Sequence, residues 1–74
     1  MTIYEVWDWD PMASIMGEHY IAARYTDEKI AAADAISRNA DWRAYWVTRR
    51  GEDSAKAEPY NWQHARVHAV VVNE

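Results

Sequence analysis

Asp8-Trp9-Asp10-Pro11 places two carboxylates two residues apart, a spacing that on an extended strand turns both to one face. Such a pair could bind a hard cation or receive a basic partner. No calcium-loop spacing follows it, and Asp before Pro reads as the end of a strand bonding its own backbone. His64 and His68 stand four apart, with His19 far away in the sequence. On a helix with an intervening Glu that spacing would suggest zinc, but here it falls at the start of a strand, and no metal site is expected. Ser14, Ser37 and Ser54 lie outside any Gly-rich elbow, and the only glycines, Gly17 and Gly51, cannot build a phosphate-cradling loop. No catalytic set emerges, so the chain reads as a binding protein rather than an enzyme, without a cofactor.

Two other constellations suit recognition. Glu5, Asp8 and Asp10, joined by Glu52 and Asp53, would form an acidic patch, with Trp7 and Trp9 as aromatic anchors for a basic protein surface. Charge reversal at Asp8 and Asp10 is then expected to weaken partner binding without unfolding the domain. Alternatively, Arg43, Tyr45, Arg49 and Arg50 could contact phosphates and stack bases, as single-strand binders do. The surrounding charge argues against that use, because the chain carries a formal net charge of −4. Residues 1–28 hold six acids against one base, and residues 29–50 hold five bases against two acids.

The elements that must position these groups follow from the patterning. Thr2 to Trp9 is rich in β-branched and aromatic residues and reads as a strand, with Tyr4 and Val6 on one face and Ile3, Glu5, Trp7 and Trp9 on the other. Pro11 to Gly17 reads as a loop whose Met12, Ile15 and Met16 either fold back to cap the core, the favoured reading, or form an exposed contact patch. Glu18 to Tyr25 is a second strand. Asp27 to Asn39 is a helix capped by Thr26, with an apolar stripe of Ile30, Ala33, Ile36 (or Ser37) and Ala40 and an outward Asp34–Arg38 pair. Trp42 to Arg50 alternates as a strand, with Trp42 and Trp46 inward. Gly51 to Gln63 reads as a polar loop, and Ala65 to Val72 as a last strand.

The order β-β-α-β-β gives an α+β fold: one antiparallel sheet with a single helix packed on one face, in one domain spanning 1–74. The other face would carry Tyr20, Arg24, Arg43, Tyr45, Arg49, Arg66 and His68 as a binding platform.

Length and composition set the remaining bounds. A chain of 74 residues buries roughly 60% of its unfolded surface. Five Trp and five Tyr with no Phe mean that every large ring carries a polar handle, which suits a core edge or a binding face. No Cys is present, so disulfides and Cys-based metal sites are excluded. Association with a partner or a second copy is a natural source of extra stability. A homodimer would use the open face and would lose its fold when Tyr45 or Val70 becomes charged. The N-terminus lacks a basic, apolar leader, and a cytoplasmic location without membrane contact is expected.

A short, acidic, cysteine-free β-β-α-β-β chain with abundant Trp and Tyr and no catalytic set resembles the small phage-encoded inhibitor proteins of the anti-CRISPR type. The likeness spans the whole chain and is one of type, so it assigns no residue. It implies stoichiometric inhibition by occupying a site on a nucleic-acid-handling complex, such as a CRISPR effector.

Overall fold

A computed structural model describes residues 1–51 and 63–73. Among them are strands β1 (Thr2–Asp10), β2 (Glu18–Tyr25) and β3 (Arg66–Val71) and one helix, α1 (Glu28–Arg50). The strands form one antiparallel sheet in the order β2-β1-β3. Among the described residues, the α+β class, one antiparallel sheet and one helix stand as the patterning indicates. The loop expected over Gly51 to Gln63 lies, apart from its two ends, outside the described residues.

The strand expected over Trp42 to Arg50 is instead the second half of α1, which runs 23 residues without a break. Its period-2 alternation coincides with a helical one: Arg38, Trp42, Tyr45, Trp46 and Arg49 recur at spacings of three and four. Asn39, Ala40 and Asp41 contain neither Gly nor Pro, and extending an existing helix costs far less than nucleating a new element. The helix stops at the first glycine after it. Gly51 takes φ +90° and donates its N–H to the Val47 carbonyl at 3.0 Å. At the other end Asp27, not Thr26, is the cap, accepting from the N–H groups of Lys29 and Ile30 at 2.8 and 3.3 Å.

Val6, fully buried in the middle strand, meets Ala31, Ala35 and Ala65, with Tyr4, Ala23, Tyr25 and Val67 packed around them. The Tyr4–Val6–Asp8 face of β1 therefore lies under the helix. The apolar stripe expected at Ile30, Ala33, Ile36 and Ala40 is displaced by about one residue. Ala31 and Ala35 face the sheet, while Ile30 and Ile36 are exposed. Small residues at the contact bring the helix axis close to the strands, and the wide rings of β1 and the second half of α1 fill the space beyond.

Two local devices fix how the elements meet. Asn39 on α1 clamps the backbone of Ala65, accepting from its N–H at 2.8 Å and donating to its carbonyl at 3.0 Å. A β-bulge between β1 and β2 follows Val6, so that Val6 opposes Ala23 while Trp7 opposes Ile21.

Candidate functional site

Asp8 is 7% exposed and all but spent on structure. Its Oδ1 accepts from the Trp42 indole at 2.7 Å and from the Trp9 backbone N–H at 2.8 Å, and its Oδ2 accepts from Arg38 Nη1 at 3.3 Å. Arg38 also donates through Nε to Asp34 at 2.8 Å, and Asp34 accepts from the Tyr25 hydroxyl at 2.7 Å. The Asp34–Arg38 pair forms as its spacing indicates, but it faces the sheet instead of the solvent.

Electrostatics follow this chain of bonds. The Tyr25 hydrogen bond holds the Asp34 carboxyl below the usual carboxylate value; burial opposes it and Arg38 reinforces it. The same bond to Asp34, with burial, raises the Tyr25 phenol. Burial works against the charge on Arg38, and the hydrogen bonds to Asp34 and Asp8 outweigh it. A cavity of about 290 Å³ opens beside this network, lined by Asp8, Arg38, Asp41, Trp42 and Tyr45.

The acidic patch is therefore not one surface. Glu5 and Asp8 lie on opposite faces of β1 by strand alternation. Glu5 meets Arg24 at 3.3 Å and accepts from the Trp7 indole at 3.3 Å. Asp10 is exposed and caps the following turn, accepting from the Met12 N–H at 2.9 Å. Glu52 and Asp53 lie outside the described residues.

The two tryptophan anchors also separate. Trp9 is packed into a ring cluster, with centroids 4.4 Å from His64, 5.5 Å from Trp42 and 6.3 Å from Trp46. The Trp46 indole donates to His64 Nε2 at 3.0 Å. Trp7 stays on the open face of the sheet beside His68, with centroids 5.6 Å apart.

The arginine set expected on a strand lies on α1. Arg49 stacks over Tyr45 and Arg50 over Trp46, each guanidinium carbon 4.4 Å from the ring centre. These contacts cap the ring cluster from the helix end. Of the expected open-face platform, Arg24, Arg66 and His68 lie there. Tyr20 sits opposite Asp8 on the helix side, and Arg43, Tyr45 and Arg49 belong to the helix. Among the described residues, no group of three or more His, Asp or Glu is placed to hold a metal ion. No described helix is long and apolar enough to cross a membrane.

Of the two readings of the β1–β2 connection, the structure overturns the favoured core cap and shows the exposed patch. Met12, Ile15 and Met16 do not cap the core; they are 88%, 104% and 86% exposed. The tip is nonetheless well bonded. Ala13 donates to the Asp10 carbonyl at 3.4 Å, Gly17 to the Ser14 carbonyl at 3.2 Å, and the Ser14 hydroxyl to the Gly17 carbonyl at 3.2 Å. Gly17, at φ +75°, makes the turn back into β2, and a Cβ there would collide with the Trp9 indole. The ring cluster thus braces the base of the hairpin while three large apolar side chains project from its tip. Asp10 and Glu18, paired across the strands, flank it, and residues 9–23 contain no Lys or Arg.

The signal for this tip is an apolar run inside a loop. Whether such a run turns inward depends on the rest of the fold; here Trp42 and Trp46 of α1, longer than expected, pack on Trp9 at the base of the hairpin. Compared with protein-family models, curated proteins and solved structures, the chain matches none.

Proposed function

We propose that this chain is a non-catalytic protein-binding module that anchors on its partner through the β1–β2 hairpin tip. The observation that carries the reading is the near-complete exposure of Met12, Ile15 and Met16 on a hydrogen-bonded turn. Large apolar groups clustered in water mark interaction sites in soluble proteins. Methionine suits such a site, because its flexible, polarizable chain adapts to an irregular pocket. The flanking carboxylates of Asp10 and Glu18 add a preference for an apolar pocket with a basic rim. Stoichiometric inhibition of a nucleic-acid-handling complex, as in the anti-CRISPR type, is the specific form of this reading, since such complexes carry basic surfaces.

The test is capture of partners from a nuclease-treated bacterial lysate with the wild-type protein and with a triple variant, Met12→Ser, Ile15→Ser and Met16→Ser. The variant should keep the wild-type circular dichroism spectrum and lose the partner. A charge-reversed pair, Asp10→Lys with Glu18→Lys, should slow association more than it speeds dissociation. Undiminished partner recovery by the folded triple variant would refute the assignment of the tip.

A further inference from the structure

The face of the sheet turned away from α1 carries a second constellation, independent of the hairpin tip. Trp7 sits at its centre on β1. Arg66 lies directly opposite it on β3, and His68 opposes Glu5 one step further along. His19, on β2, approaches from the other side, and these four side chains line a cavity of about 260 Å³.

We infer that this cavity is a subsite for a single nucleotide unit, with a planar base against Trp7 and its phosphate held by Arg66, His68 and His19. Three features carry the inference. The Trp7 indole N–H is already spent on Glu5, so the ring presents its π-face rather than a hydrogen bond. Glu5, the carboxylate bonded to Trp7, is also paired with Arg24 at 3.3 Å, which offsets part of its repulsion for an anion. With Arg24 set against Glu5, Arg66 gives these side chains an excess of one positive charge on a chain whose net charge is −4.

Ligand chemistry follows from the donors. A guanidinium fork and two imidazoles flank the indole on both neighbouring strands, offering more donors than a two-oxygen carboxylate would use. A phosphate has the oxygens to engage them, and Arg is the side chain best matched to it. The cavity falls just below the roughly 300–1,000 Å³ typical of ligand pockets, which limits the occupant to one base with its phosphate.

The experiment is a ¹H–¹⁵N NMR titration of the wild-type protein with adenosine 5′-monophosphate, adenosine and inorganic phosphate separately. A short single-stranded oligodeoxyadenylate forms a further arm. The monophosphate should shift the Trp7 indole resonance and the amides of His19, Arg66 and His68 saturably. Adenosine and phosphate should each bind at least about tenfold more weakly, because each lacks half of the recognition. Arg66→Glu, on an exposed edge position, should weaken binding by about tenfold or more, and Arg66→Lys by less, since charge without the fork is retained. Tighter binding of the oligonucleotide at the same resonances would identify the nucleotide's source as a single strand, and equal binding a free nucleotide. No saturable shift, adenosine or phosphate binding as well as the monophosphate, or unchanged affinity in Arg66→Glu would each overturn the proposal. None of these results bears on partner capture through the tip, which lies outside these resonances.

Discussion

Asp8 receives an indole, a backbone N–H and a guanidinium while almost wholly buried, so its replacement costs more than the removal of a surface charge. Asp8→Ala leaves the Trp42 indole and one Arg38 N–H without their acceptor and should destabilise the fold by about 3 kcal/mol. Urea denaturation followed by tryptophan fluorescence would measure it. Charge reversal at this position should unfold the domain rather than merely weaken binding, a correction to the acidic-patch reading of Asp8. At the same scale, Asp34 makes stability depend on acid. Its folded-state value lies below its ordinary one, so the stabilisation is fully present above the ordinary carboxylate range. It is lost as pH falls through the lowered value. Tyr25 is linked with the opposite sense: its raised phenol contributes below the ordinary tyrosine value, and the contribution disappears as pH rises through the folded one. Tyr25→Phe should therefore return the Asp34 carboxyl toward its ordinary value, a shift readable by carbon-detected NMR titration of the side chain.

At the scale of elements, α1 does two jobs that a helix ending at Asn39 could not. Its first half lays Ala31 and Ala35 on Val6; its second half carries Trp42 and Trp46 to Trp9 and His64, with Tyr45 edge-on to both tryptophans. Asn39, expected to end the helix, sits mid-helix and holds the start of β3 through both backbone groups of Ala65. Asn39→Ala removes both hydrogen bonds and should cost about 2 kcal/mol, roughly 1 kcal/mol for each. Hydrogen exchange at the Ala65 amide should accelerate more than exchange at β1 amides, because β1 is paired on both sides and β3 lies at the sheet edge. Gly17 is the corresponding fixed point of the hairpin. Gly17→Ala combines a positive φ with a collision against Trp9 and should destabilise by about 1 kcal/mol or more, measured as a lowered thermal midpoint.

At the scale of the molecule, the described chain spans 47 × 27 × 14 Å, with a radius of gyration of 13.9 Å. A compact chain of this length would have a radius nearer ~11 Å. Among the described residues the arrangement is a two-layer slab, one helix on one face of three strands, and three of the four buried apolar residues are alanine. A core this lean should yield a free-protein stability of only about 3–5 kcal/mol. Bound ligand or partner should therefore raise the thermal midpoint visibly, since binding to the folded state alone adds to its stability. Thermal scans at two protein concentrations would show whether a second copy supplies any of this support: a midpoint independent of concentration indicates a monomer.

The α+β class, the bounds of β1 and β2 to within a residue, the presence of the helix and the Asp34–Arg38 pair were legible in the residues alone. Each rests on short-range physics: strand alternation, capping, side chains four apart on one helix. Three matters were decided only in the folded chain. Trp42–Arg50 fits both period 2 and period 3.6, and its packing against Trp9 and His64, added to the unbroken run of α1 into it, selects the helix. Asp8 and Glu5 look alike along the chain, yet the face that Val6 buries sends one carboxylate to Arg38 and the other to Arg24. Met12, Ile15 and Met16 have a composition suited to a core, and only the folded chain shows that they project into water. Where the local pattern fits one period only, sequence specifies the element; for a segment that fits two, and for which groups remain in water, the tertiary contacts decide.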